Sequence, residues 1–226
     1  MPIDSVLQDA YERYKNLQEG RNADYIPELA KIDPNLFGVA LVTVDGETYS
    51  AGDIETEISI QSISKVLTMA LVMEESGVDA IRETVGVDAT GLKFNSIIAI
   101  ELYKGGEMNP FVSAGAITVT GMVKGANLQE SGQKLLAFYG EFAGRALSLK
   151  MDIYESEAEH NQRNQALAML MHAYGRIKAN PQGVTELYTH QCSVAVNTKD
   201  LAIMAGTLAN GGKNPLTGKP QTWSRL

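Results

Sequence analysis

The sequence predicts an α+β domain, because strand-like segments near its start are followed by a long block with helical spacing. Residues 38–44 and 48–51 are rich in apolar and β-branched residues and flank an Asp-Gly turn, which is typical of an antiparallel hairpin. From residue 62 onward, apolar residues recur at helical intervals of three and four. Of 226 residues, 44% are hydrophobic and 20% are charged, so the chain can bury a sizeable core and is not intrinsically disordered.

Two helices are predicted before the hairpin. Apolar residues between positions 6 and 17 share one helical face, and Gly20 is a natural stop for that helix. A short second helix is expected at 25–31, because Pro27 suits a first helical turn.

Alternating isoleucines at 58 and 60 predict a third strand, which leads directly into the helical block. The first helix of the block would begin at Ser62 and end at Gly77, with Ile63 among its buried residues. Further helices are predicted at 79–85, 95–103, 113–123, 130–144, 162–174, 184–192 and 198–209. We therefore expect one domain over 1–226, with its strands in about 1–61 and its helices in about 62–212.

Charge and cysteine content exclude several classes of function. The chain has 19 Lys and Arg against 27 Asp and Glu, and a net charge of −8 argues against nucleic acid or an anionic membrane as partner. No apolar run reaches the roughly 18 residues of a membrane span, and the N-terminus lacks a signal-peptide pattern. The single Cys192 cannot form an internal disulfide, so a cytoplasmic location is expected. His160, His172 and His190 lack the spacing of metal ligands, so we predict no metal site.

A candidate catalytic pair lies where the helical block begins. Ser62 and Lys65 are three residues apart, which brings their side chains together on one helical face. A serine hydroxyl needs an adjacent base to act as a nucleophile, and a lysine can be that base if burial lowers its pKa. The pair alone is weak evidence, since a serine N-cap followed by a solvated lysine gives the same pattern.

Four more blocks extend this pattern along the chain. The full set is Ala-Asp-Tyr-Ile-Pro at 23–27, Gln-Ser-Ile-Ser-Lys at 61–65, Asn-Pro-Phe-Val-Ser-Ala-Gly-Ala-Ile at 109–117, Ser-Glu at 156–157 with Arg-Asn at 163–164, and Tyr188 with Gln-Cys-Ser at 191–193. In order and spacing these blocks resemble the glutaminases, the serine-dependent L-glutamine amidohydrolases, over nearly the whole chain.

The resemblance implies a fold similar to serine β-lactamases and penicillin-binding proteins. In that fold an antiparallel sheet packs against a helical domain, and the active site lies between them. The resemblance also implies hydrolysis of L-glutamine to L-glutamate and ammonia through a glutamyl-serine intermediate, without a metal or other cofactor. It further implies a homo-oligomer.

Catalytic roles follow from the same resemblance. Ser62 would be the nucleophile and Lys65 its base, while Tyr188 would be a second proton-transfer group near the scissile amide. An unperturbed phenol titrates near 10, so we expect Tyr188 to need a cationic neighbour such as Lys65.

Substrate-binding roles are implied for a second set of residues, with Ser62 and Tyr188 also contacting the substrate. Glutamine is a zwitterion, so Glu157 would pair with its ammonium and Asn164 would donate to its carboxylate. Tyr25 would line the same pocket. Ser113 stands where the family usually has Asn, and its shorter side chain would weaken binding. Without the resemblance, the acidic run around Glu157 would be read as a solvated helix face.

The family pattern continues beyond the point that matches the end of this chain, where it adds strands and a second oxyanion-hole amide. We therefore expect missing C-terminal strands, an exposed apolar sheet edge, and weak or absent activity. Two function classes remain: a glutaminase, or a non-catalytic glutaminase-like protein that binds ligand or partner subunits. A penicillin-interacting serine hydrolase is a third alternative, which only the Ser62 and Lys65 pair supports.

Overall fold

The computed structural model describes residues 2–220, over which a short hairpin and a second small sheet pack against a set of helices. The helices are α1 (Ile3–Tyr14), α2 (Pro27–Ala30), α3 (Ser64–Ser76), α4 (Val78–Thr84), α5 (Ile97–Tyr103), α6 (Ser113–Thr120), α7 (Leu128–Ala143), α8 (Met151–His160), α9 (Gln162–Ala173), α10 (Pro181–Cys192) and α11 (Thr198–Ala209). The strands are β1 (Gly38–Val42), β2 (Thr48–Gly52), β3 (Ile58–Ser59) and β4 (Ala195–Val196).

The predicted hairpin is confirmed. Strands β1 and β2 pair antiparallel, with Val39 opposite Ala51 and Val42 opposite Thr48. The turn between them contains Gly46 at φ 90°, a left-handed conformation that glycine adopts without steric cost. Helix α1 packs on β2 and helix α11 packs on β1, so helices from both ends of the described chain cover the hairpin.

A second two-stranded sheet joins distant parts of the chain. Strand β3 pairs antiparallel with β4, so that Ile58 lies opposite Val196 and Ser59 opposite Ala195. Strand β4 lies within the segment that we expected to be helical. Two residues are too few to show an alternating pattern, so this strand has no sequence signal. The pairing fixes the chain just before Ser62 against the chain just after α10.

The hydrophobic core lies mainly between helices α3, α6, α7, α9 and α10. Every residue of α6 is buried, and its small side chains let other segments approach closely. At Gly115 a Cβ atom would lie 2.0 Å from the backbone oxygen of Asn109, so no larger residue fits there. The small-residue segment predicted at 113–123 is therefore the central helix of the core.

The structure corrects four of the sequence-based expectations. Helix α8 was not predicted, because its many acidic residues hide its single buried face. Helix α1 ends at Tyr14 and has no fully buried residue. Helix α3 begins at Ser64, after a 3₁₀ turn formed by Gln61–Ile63. Ile63, expected to be buried, is 51% exposed. Between residues 2 and 220, no helix is long and apolar enough to cross a membrane.

Candidate active site

Ser62 lies in the 3₁₀ turn between β3 and α3, where it is exposed to solvent. The residue before it, Gln61, has a φ of 49°, which is the left-handed region and costs roughly 1–3 kcal/mol for a non-glycine residue. The Gln61 side chain is held by a hydrogen bond from its Nε2 to Ser59 Oγ, at 3.0 Å. Strained backbone of this kind is concentrated at functional sites, because surrounding contacts must maintain it.

The exposed face of this turn opens on a cavity of about 240 Å³. Six of the residues that the sequence predicted for the site line this cavity: Tyr25, Ser62, Ser113, Glu157, Asn164 and Tyr188. A larger cavity of about 590 Å³ lies along α7, and it contains none of these residues. The smaller cavity is therefore the candidate active site, because it combines an exposed serine with buried polar groups.

Lys65 is in the first turn of α3, is 6% exposed, and is not among the residues that line the cavity. Its Nζ donates to the Phe111 carbonyl at 3.2 Å and lies 5.9 Å from the centre of the Phe94 ring. Burial lowers the pKa of Lys65, and no carboxylate in the described part of the chain forms an ion pair with it. Burial therefore favours the neutral amine, the form in which a lysine can accept a proton, whereas the Phe111 carbonyl and the Phe94 ring favour the charged form.

Glu157 is the buried acid of the site. It is 6% exposed, whereas its neighbours Glu155 and Glu159 are exposed. Burial raises the pKa of Glu157 to about 7, although a hydrogen bond with Gln61 opposes this shift. Its Oε2 atom is buried and has no hydrogen-bond partner within residues 2–220. The acidic run is therefore not a uniformly solvated face, and one carboxylate oxygen of Glu157 is buried without a hydrogen-bond partner among residues 2–220.

Tyr188 is on α10, is 4% exposed, and faces the same cavity. Burial raises its pKa well above 10, and the nearby Cys192 and Glu157 raise it further. The cationic neighbour that we expected to lower this pKa does not have that effect, since burial and acidic groups dominate. The Tyr188 hydroxyl therefore keeps its proton at neutral pH. Cys192 is free and buried, as the sequence indicated.

Polar groups also line the cavity near Asn164 and Ser113. Asn164 is half-buried, and Ser113 is the first residue of α6 and 5% exposed. Arg163 lines the cavity too, and its Nε and Nη2 atoms donate to the Asn95 carbonyl at 3.2 and 3.0 Å. The sequence alone indicated no role for Arg163, although this residue forms part of the Arg-Asn block with Asn164. This arginine brings a positive charge to the cavity, which suits an anionic group of a ligand.

Comparisons with known sequences identify the family. A family model described as Glutaminase matches residues 20–225. A glutaminase of Colwellia psychrerythraea is 49% identical over 217 residues, which cover 96% of this chain and 70% of that protein. A glutaminase of Brucella abortus is 47% identical over 200 residues, which cover 88% of this chain and 63% of that protein.

Solved structures agree with the sequence comparisons. A probable glutaminase, ybaS, superposes with a TM-score of 0.94 at 40% identity, covering 96% of this chain and 70% of the other. A probable glutaminase from Bacillus subtilis, complexed with 6-diazo-5-oxo-L-norleucine, gives a TM-score of 0.85 at 25% identity. The match covers 97% of this chain and 67% of the other. These neighbours confirm the predicted serine β-lactamase-like fold. The chain spans 63% to 70% of the lengths of these relatives. From the family model and the sequence identities, the chain belongs to the glutaminase family.

Proposed function

We propose that the chain hydrolyses the side-chain amide of L-glutamine to L-glutamate and ammonia, with Ser62 as the nucleophile. The observation that supports this proposal best is the unpaired Oε2 of Glu157, buried in the same cavity as the exposed Ser62. A buried carboxylate oxygen without a partner is costly, and an ammonium group would satisfy it. A free amino acid carries such a group, and the cavity is small enough to suit one.

The remaining substrate contacts follow from the charges of the cavity. The α-carboxylate of the substrate would accept hydrogen bonds from Asn164 and Ser113, and Arg163 would contribute a positive charge beside them. Tyr25 is 67% exposed and would close the mouth of the cavity over the bound substrate. Together with Glu157, these residues would bind both charged ends of glutamine and leave its side-chain amide free for Ser62.

The chemistry would proceed by proton transfer within this arrangement. Ser62 Oγ attacks the amide carbon while neutral Lys65 accepts the hydroxyl proton. Collapse of the tetrahedral intermediate breaks the carbon–nitrogen bond, and the departing nitrogen receives a proton and leaves as ammonia. Tyr188, whose raised pKa keeps it protonated, would donate that proton and regain it from Lys65. Water then hydrolyses the glutamyl-Ser62 ester, with Lys65 again acting as the base.

Ammonia release from glutamine by the purified chain tests this proposal, with Ser62→Ala as the inactive variant. A covalent adduct with 6-diazo-5-oxo-L-norleucine, located on Ser62 by mass spectrometry, would identify the nucleophile directly. Substantial ammonia release by Ser62→Ala would rule out the proposed nucleophile. A folded wild-type protein that binds glutamine but releases no ammonia would support the non-catalytic alternative, and labelling of Ser62 by a β-lactam would support the third.

We also propose a cytoplasmic location and a homo-oligomer. The free, buried thiol of Cys192 agrees with a reducing compartment. The surface around α5 exposes large apolar side chains, with Phe94 62%, Ile98 64% and Leu102 64% exposed, and such patches often mediate association between proteins. Sedimentation of the wild type beside Ile98→Glu tests the oligomer: the wild type should be larger, and identical monomeric profiles would contradict it.

A further inference from the structure

The side chain of Gln191 lies fully buried behind the turn that carries Ser62. It projects from α10, and its Oε1 accepts hydrogen bonds from Thr68 on α3 and Thr120 on α6, both at 2.9 Å. All three residues are at most 1% exposed. A primary amide can accept and donate at the same time, so Gln191 can connect these helices to a further acceptor.

That further acceptor leads to the nucleophile. Gln191 Nε2 donates to Ser64 Oγ at 3.3 Å, and Ser64 Oγ donates to the backbone carbonyl of Gln61 at 2.6 Å. The Gln61 carbonyl belongs to the same planar peptide unit as the amide nitrogen of Ser62. Fixing the direction of this carbonyl therefore fixes the orientation of the peptide from which Ser62 projects.

Tyr139 on α7 completes the network. Its hydroxyl lies 2.5 Å from Thr68 Oγ1 and 3.1 Å from the Ser64 carbonyl oxygen. Burial raises the pKa of Tyr139, so the hydroxyl keeps its proton. One consistent assignment has each group donate to the next, from Tyr139 through Thr68, Gln191 and Ser64 to Gln61. The Tyr139 hydroxyl has a single proton, so in this arrangement its contact with the Ser64 carbonyl is not a hydrogen bond, whereas each of the other steps has a donor and an acceptor.

We propose that Gln191 and Ser64 are positioning residues, which hold the left-handed Gln61 and so orient Ser62 for attack. The inference rests on the proposed role of Ser62 as nucleophile. A network that served only the core would end among the helices, whereas this one ends on the carbonyl of a residue in a strained conformation. The left-handed φ of Gln61 persists only while surrounding contacts hold it, and the Ser64 hydroxyl is such a contact.

The test compares two buried serines in the purified full chain. Ser64→Ala removes the side-chain hydrogen bond to the Gln61 carbonyl and leaves the bond from the Ser64 backbone N–H in place. Ser193→Ala is the matched control, because Ser193 is also 0% exposed and its Oγ donates to a backbone carbonyl at 2.9 Å, but that carbonyl belongs to Thr189 in α10 and not to the turn that carries Ser62. For each variant, kcat and KM for ammonia release are measured together with the free energy of unfolding in urea.

We expect Ser64→Ala to lower kcat by about 10- to 100-fold, the range that follows from a small misplacement of a reacting group. Its KM should change by less than about threefold, because the groups that bind the substrate are unchanged. Ser193→Ala should lose stability to a similar extent and keep its kcat. Gln191→Met should reproduce the loss of kcat. The double variant Ser64→Ala/Gln191→Met should lose no more kcat than the single variants, since both substitutions interrupt the same hydrogen-bond network.

Two results would overturn the inference. One is a kcat for Ser64→Ala within twofold of the wild type despite a loss of stability. The other is an equal loss of kcat in Ser64→Ala and Ser193→Ala, which would reveal a general structural effect. Failure of the proposed function is distinguishable, because either Ser62→Ala would then remain active or the wild type itself would release no ammonia, whatever Ser64→Ala does. Reaction with 6-diazo-5-oxo-L-norleucine provides a second measurement, and it should slow in Ser64→Ala but not in Ser193→Ala.

Discussion

Replacing Glu157 by glutamine should stabilise the protein and weaken substrate binding at the same time. Burial raises the pKa of this carboxyl from 4.5 to about 7 in the folded protein. Between these two values the folded state binds a proton that the unfolded state has released. The free energy of unfolding therefore falls as the pH rises through this range. Glu157→Gln removes the titrating group and with it this loss of stability.

The size of the effect follows from the two pKa values. One pKa unit corresponds to about 1.4 kcal/mol, so the gain from Glu157→Gln should be about 3 kcal/mol at pH 8, where the buried group is ionised in both states. At pH 5 the folded protein is almost fully protonated at this position and the unfolded chain only partly. The gain there should be about 1 kcal/mol.

Urea denaturation of the unliganded protein at pH 5 and pH 8 measures this difference. Glu155→Gln is the matched control, since it makes the same chemical change on the same helix at an exposed carboxylate. Its unfolding curve should follow the wild type at both pH values. In parallel, kcat/KM for glutamine should fall by about 10- to 100-fold in Glu157→Gln, because a hydrogen bond to a charged group contributes roughly 1.5–3 kcal/mol.

Equal stability of Glu157→Gln and the wild type at pH 8 would refute the argument from burial. A Glu157→Gln variant that is more stable but retains the wild-type kcat/KM would instead refute the proposed contact between this carboxylate and the substrate. In that case the carboxylate is buried at a cost, but it does not bind the substrate ammonium.

Three further substitutions test the other groups of the site. Lys65→Arg keeps the positive charge, but an arginine cannot lose its proton, so the variant should fold normally and its kcat should fall by about 10²–10⁴-fold. The activity of the wild type should rise with pH, because Lys65 acts as a base only after it loses its proton. Tyr188→Phe preserves a buried ring without the proton donor, and steady-state kinetics should show a fall in kcat of at least about 100-fold. Ser113→Asn restores the longer donor that is usual in the family and should lower the KM for glutamine; an unchanged or raised KM would indicate that Ser113 does not contact the substrate.

Local patterns in the sequence were sufficient to predict the hairpin and most of the helices. Alternating residues and an Asp-Gly turn specify β1 and β2 through contacts within about fifteen residues. Helices such as α11, predicted with the observed bounds, likewise depend on spacing and capping along a single segment. Strand β4 and helix α8 were missed for the same reason, since neither has a clear local pattern.

The resemblance to the glutaminases also named the six predicted residues that line the cavity, although they are spread between Tyr25 and Tyr188. Spacing and composition alone would not have grouped them, because their proximity depends on how four helices, the turn with Ser62 and the segment before α2 pack together. The chemical state of these residues was not predictable from either source. Without the resemblance, the acidic run suggested a solvated Glu157, and a cationic neighbour was expected to make Tyr188 more acidic. The structure buries Glu157 and raises the pKa of Tyr188.

What the sequence by itself determined is the set of residue types, their local elements and the family to which they belong. Only the tertiary structure decided which carboxylate of an acidic helix is buried, why the Tyr188 phenol stays neutral, and that Gln191 reaches the peptide of Ser62 through Ser64. The physical reason is that desolvation and hydrogen bonding depend on neighbours from other segments. Gln191 and Ser64 are 127 residues apart in the chain, and no local pattern relates them.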